Sequence, residues 1–158
     1  MTELDERFMR EALAEAETAR EMDEVPVGAV IVYRGERIIG RGHNEKETGK
    51  NALYHAELIA IDRACRELSG WRLPDSTLYV TLEPCPMCAG AIVNARIGRV
   101  VIGTADPRTG AFGGVTDLNA LPLNHKPEIT LGVLQEECSE LLRAYFRAKR
   151  EKNKEENK

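Results

Sequence analysis

The segment Thr77–Leu82 (TLYVTL) runs through Glu83 and Pro84 directly into Cys85-Pro86-Met87-Cys88. This junction constrains the fold more than any other stretch of the chain. The β-branched and aromatic run predicts a strand. Pro86 suits the first turn of a helix, and the residues after it read as helical to about Arg96. The chain therefore passes from strand to helix at two thiols. Free N–H groups and the helix dipole favour thiolates at such a start. The opening residues Met1–Arg7 are acidic and carry no apolar stretch, so no secretory leader is expected. In that setting a C-x-x-C points to a metal or redox site before a disulfide. The other two cysteines, Cys65 and Cys138, stand alone on apolar helical stripes (Leu58, Ile61, Cys65, Leu68 and Leu134, Cys138, Leu141, Tyr145), which places both in the core.

The flanking segments supply the rest of an α/β domain. Thr2–Met22 reads as a helix with Thr2 and Asp5 at its cap and Phe8, Leu13 and Ala16 on its apolar face. Val25–Tyr33 is a doubly buried strand, Arg34-Gly35-Glu36 a turn, and Arg37–Gly42 its antiparallel partner. A helix is predicted from His55 to Leu68, stopped by Ser69-Gly70. Arg99–Gly103 and Glu128–Val133 are further strands, and Gln135 to about Lys152 is the last helix. Residues 1–152 thus form a single domain, with 153–158 expected as a frayed polar tail. Strand alternating with helix after an opening hairpin implies a mixed sheet covered on both faces. No apolar run approaches the ~20 residues of a membrane span.

Chemistry-bearing residues gather where strands meet loops or helices: Gly42-His43-Asn44, His55-Ala56-Glu57 and Cys85/Cys88. His55 added to the two thiols makes a Cys₂His set suited to zinc. Structural zinc is normally closed by four ligands, whereas a catalytic site keeps one position open for water, and no fourth ligand has chelate spacing here. Glu57 lies about 200° from His55 on an ideal helix and does not chelate with it, but at a helix start it reaches the same pocket as a proton carrier. Each signal alone has an ordinary reading: half a zinc knuckle, a core histidine, a solvated first-turn acid. Together they describe a catalytic zinc site.

H-x-E followed by P-C-x-x-C is the signature of zinc nucleobase deaminases. Further segments are Glu24–Val30 (EVPVGAV), Gly42-His43-Asn44, Leu78–Ala91, Arg96–Val101 and the loop Asp106-Pro107-Arg108-Thr109-Gly110. With these, the chain resembles the bacterial tRNA-specific adenosine deaminases from about Phe8 to Phe146. The resemblance implies a cytidine-deaminase-like three-layer α/β/α sandwich around a five-stranded mixed sheet. It implies a cytoplasmic homodimer with one zinc per subunit. Its reaction would be the hydrolytic deamination of adenosine to inosine at the wobble position of a tRNA anticodon stem-loop. His55, Cys85 and Cys88 would hold zinc and Glu57 would shuttle protons. Val27, Asn44 and the Ala56 backbone would meet the base, and Asp106 a neighbouring nucleotide. Phe146, Arg147 and Arg150, with Tyr145, would lie on the helix that approaches RNA. Tyr54, just before the His-Ala-Glu motif, and Phe112, in the Gly-rich loop, depart from the family pattern. Two competing readings are a deaminase of a small free substrate and a non-catalytic zinc-stabilised RNA-binding module.

The net charge of −4 opposes a nucleic-acid partner only as a sum. Residues 1–24 hold nine acidic side chains against three arginines, while residues 139–158 hold seven basic against four acidic. RNA binding follows the local field, so one basic edge is compatible with gripping a short loop.

Overall fold

The computed structural model describes residues 2–157. Helix α1 (Glu3–Glu21) leads to the antiparallel hairpin β1 (Gly28–Tyr33) and β2 (Arg37–His43). Helix α2 (Ala56–Leu68) precedes β3 (Ser76–Leu82), and α3 (Pro86–Asn94) precedes β4 (Arg99–Thr104). A short 3₁₀ turn, Leu118–Ala120, comes before β5 (Glu128–Leu131), and α4 (Gln135–Glu156) closes the chain. The sheet order is β2-β1-β3-β4-β5, with β1 antiparallel to both neighbours and β3, β4 and β5 parallel. This is the expected five-stranded mixed sheet. Val25, Pro26 and Val27 stay outside the ladder, so β1 begins three residues later than the hydropathy suggests.

Alternating strand residues separate the two faces. Ala29, Ile31, Leu78, Val80, Val100 and Ile102 pack under α2 and α3. Val30, Val32, Tyr79 and Val101 pack against Phe8, Met9 and Ala12 of α1 and against Cys138 of α4. The cap of α1 forms as read, with Thr2 Oγ1 accepting from the Asp5 N–H at 3.1 Å. Asp5, 1% exposed, also accepts two bonds of 2.9 Å from Arg99 and one of 3.0 Å from Tyr79, which ties α1 to β4.

Helix α2 departs from its predicted face. The residues pressed on the sheet are Ala56, Ala60 and Ala64, while Leu58, Ile61, Cys65 and Leu68 lie half-buried on the flank. The cause sits on the opposite element: a Cβ at Gly40 or Gly42 would run into the carbonyls of Ala60 and Ala56. Small residues on both partners bring the helix axis close to β2, and the bulkier stripe is left to cover the edge. Cys65 is accordingly half-buried, whereas Cys138 is fully buried as expected.

Helix α4 continues past Lys152 to Glu156. Its last turns contain no Gly or Pro, and Glu, Lys and Arg are good helix formers, so nothing breaks the hydrogen-bond ladder where the charge run begins. No helix among the described residues is long and apolar enough to cross a membrane.

Candidate active site

One end of the sheet collects the chemistry. His55 is the N-cap of α2 and Cys85 the N-cap of α3, and neither side chain caps its own helix. Both turn toward each other instead. Breaking the capping preference at two adjacent helix starts marks a site where function outweighs local stability. Nδ1 of His55 lies 3.7 Å from Cys85 Sγ and 3.5 Å from Cys88 Sγ, and the three donor atoms fall within 4.8 Å of one another. Ordinary Zn–S and Zn–N bonds at a tetrahedral angle put sulfur and nitrogen about 3.6 Å apart, so this donor set fits the ion. The free face of the set opens on a cavity of about 580 Å³.

The protonation pattern also suits a cation. Cys85 is drawn down to about 4, first by a hydrogen bond from the Cys88 thiol, with His55 adding to it against the cost of burial. Cys88 is pushed up by that same bond and by its burial. His55 is raised above its usual value, first by its hydrogen bond with Cys85. Two helix N-termini converge on this anionic sulfur.

Glu57 enters the same cavity from the first turn of α2, as anticipated from its place beside His55. It is 4% exposed, and burial pushes its carboxyl up to about 7, outweighing its own backbone N–H, His55 and Cys88, which pull it down. A carboxyl poised near neutrality can both accept and donate a proton.

Asn44 is oriented by the backbone: its Oδ1 accepts the Ala56 N–H at 3.0 Å, which leaves its amide N–H₂ for the cavity. The Ala56 N–H is therefore taken, and Ala56 does not line the cavity. Its part is to aim Asn44. Val27 and Leu82 supply apolar wall, with Asn44, Asp106 and Thr109 nearby. Asp106 accepts from the N–H groups of Arg108 and Thr109 and from the Thr109 hydroxyl, so its loop is held in shape from within. Tyr145 and Lys149 reach the same cavity from α4, and both bond to Asp23, at its carbonyl (3.3 Å) and its carboxylate (3.1 Å). Phe146, Arg147 and Arg150 do not reach it. They line an adjoining groove of about 870 Å³ with Arg108, Leu142 and Arg143.

Two buried carboxylates that the sequence reading left unassigned shape the walls. Glu83 accepts from the N–H groups of Asp106 (3.0 Å), Phe112 (2.9 Å) and Gly114 (2.9 Å). A Cβ at Gly110 would strike the Glu83 side chain, and one at Gly114 the Asp106 carbonyl, so this loop must be glycine-rich to wrap the carboxylate. Glu24 accepts from Glu47 and Thr48. Burial raises its carboxyl, but these bonds overcome that and leave it below the ordinary range. An acid beside the Pro-Cys motif followed by a glycine-rich loop was the available signal for Glu83. For Glu24 none existed beyond its place in the EVPVGAV segment. The two departures from the family pattern also find places. Phe112 is buried in the core beside Ala111, and Tyr54 closes the 45–54 loop by lying over Gly49 while its carbonyl accepts the Glu45 N–H.

A five-stranded α/β/α layer with His, Cys, Cys and a buried Glu at two helix starts defines a deaminase fold of the cytidine-deaminase type with a candidate metal site. A family model described as MafB19-like deaminase matches residues 3–150. A tRNA-specific adenosine deaminase of Bacillus subtilis is 51% identical over 151 residues, covering 95% of this chain and 93% of that protein. One from Haemophilus influenzae is 46% identical over 154 residues, covering 97% and 89%. A solved structure from a study of A-to-I editing by tRNA:A34 deaminases at the wobble position superposes with a TM-score of 0.83 and 44% identity, over 86% of this chain and 99% of its own. The chain belongs to this deaminase family, in its tRNA-specific adenosine deaminase branch.

Proposed function

We propose that the protein converts adenosine to inosine at the wobble position of a tRNA anticodon loop, with zinc held by His55, Cys85 and Cys88. The observation that carries the mechanism is the buried Glu57 in one cavity with His55 and Cys85 of the His-Cys-Cys set. Zinc in that set supplies Lewis-acid activation of water at neutral pH. The chain's own residues do the rest. Asn44 presents its free amide to the base, and Val27 and Leu82 give the ring an apolar wall. Glu57 takes a proton from the attacking water and carries it to ring N1. A second transfer delivers a proton to the exocyclic nitrogen. A C6–O bond forms, the C6–N bond breaks, and ammonia leaves with no change of redox state. Because His55, Cys85 and Glu57 sit inside the cavity, the adenosine must leave its stack to reach them, which costs least in a single-stranded loop. Asp106 and the α4 residues Phe146, Arg147 and Arg150 meet neighbouring nucleotides along the adjoining groove.

In this reading residues 1–152 are one catalytic domain, working as a cytoplasmic homodimer. Support for a second copy comes from α3, where Met87 is exposed, Gly90 faces open space and Leu123 lies alongside. The deciding experiment incubates the zinc-loaded protein with total tRNA and maps inosine. Inosine is expected at the wobble position of an adenosine-34 tRNA. Its absence with fully metallated protein overturns the assignment.

A further inference from the structure

The base cavity and the adjoining groove share five residues: Val25, Lys46, Leu82, Asp106 and Thr109. A strand that places one base in the cavity and runs along the groove must cross this waist. Of the six lysines and arginines around the two spaces, three are already neutralised. Lys149 pairs with Asp23, Arg143 with Glu136 and Glu140, and Arg147 with Glu140. Among the described residues Lys46, Arg108 and Arg150 form no ion pair, and of these only Lys46 lines both spaces. Lys46 adds to the pull that lowers the Glu24 carboxyl but makes no ion pair with it, and the nearby acids accept other bonds. Glu24 takes the N–H groups of Glu47 and Thr48, and Asp106 is bonded by its own loop. The neighbouring Glu47 makes no ion pair with it. A flipped base leaves its phosphates outside the pocket mouth, and a lysine there is a point charge suited to one of them.

We propose that Lys46 binds a backbone phosphate of the RNA where the strand passes from the groove into the base cavity. It is a positioning residue that sets affinity and leaves the chemical step alone. The inference rests on the tRNA deaminase reading above. The test uses the zinc-loaded full chain with an anticodon stem-loop carrying a wobble adenosine, measuring both deamination and binding by fluorescence anisotropy across a salt series. Lys46→Gln is expected to raise KM and Kd about three- to fivefold near 0.1 M salt. It should keep kcat within about twofold and flatten the plot of log K against log salt by about 0.7, the share of one phosphate on a single strand. Lys46→Arg should restore the slope. A wild-type slope and Kd in Lys46→Gln overturn the proposal. So does a lowered melting point or kcat with the slope intact, because that assigns Lys46 to support of the Glu24 loop. Failure of the wild-type protein to form inosine counts against the parent reading, and the binding slope still decides Lys46.

Discussion

Asp5 and Glu57 are both carboxylates almost cut off from water, and they behave oppositely. Asp5 receives two bonds from Arg99 and one from Tyr79, and the Arg99 bond, with smaller help from Tyr79, overcomes burial and holds its carboxyl below the usual range. Glu57 receives none of the loop or arginine bonds that satisfy Asp5, Glu24 and Glu83, and burial lifts it to about 7. Burial is common to both. What separates a structural acid from a chemical one is whether the surroundings supply donors. The α1 side of the sheet supplies them in full. The cavity side leaves the carboxyl short, facing the His-Cys-Cys set, as the proposed proton transfer requires.

The sharpest way to break this contrast is at Glu57. Glu57→Gln keeps the shape and removes the proton carrier, so kcat should fall by about 10²- to 10⁴-fold while zinc content by elemental analysis stays unchanged. Near-normal turnover would remove Glu57 from the mechanism.

Glu83 lies between the two cases, a satisfied carboxylate on the wall of the reactive cavity. Glu83→Ala strands three loop N–H groups and should destabilise the protein by about 3–4 kcal/mol. It should also raise KM by loosening the Asp106 loop. Urea denaturation and steady-state kinetics check both, and an unchanged KM would mean that the loop keeps its shape without the carboxylate.

The smallest effect belongs to Asp5. Asp5→Asn should cost about 2 kcal/mol, since Arg99 keeps some solvent to fall back on, with kcat unaltered. Because the folded carboxyl sits lower than the unfolded one, its contribution is complete above the ordinary value of 3.8 and is lost as the pH falls through the lower folded value. Melting curves between pH 6 and 2.5 should therefore converge for wild type and Asp5→Asn at the acid end. Parallel curves would show that the Asp5–Arg99 bond does not carry the stabilisation.

Much of this molecule can be read from residue types and their spacing. The candidate metal donors and Glu57 are local: each lies at a helix start that proline, polarity and hydrophobic runs already delimit. The element order follows for the same reason, because periodicity is a property of short windows. Reading fails where the answer depends on a distant partner. The apolar stripe of α2 names Leu58, Ile61 and Leu68, but Gly40 and Gly42 on β2 admit the alanine face instead. The last helix is legible as basic, yet nothing local tells that Tyr145 and Lys149 reach the cavity of Glu57 while Phe146, Arg147 and Arg150 line the groove beside it.

The chain's own residues, then, settle what chemistry is available: two thiols, an imidazole and a carboxyl at helix starts, in an α/β frame. Packing settles what each polar group is for. Glu24, Glu83 and Asp5 become structural because loops and arginines from far along the chain reach them. Glu57 is left without such donors, and no acid forms an ion pair with Lys46. A side chain's role depends on its unsatisfied bonds and local dielectric, and those are set by neighbours that only folding brings together.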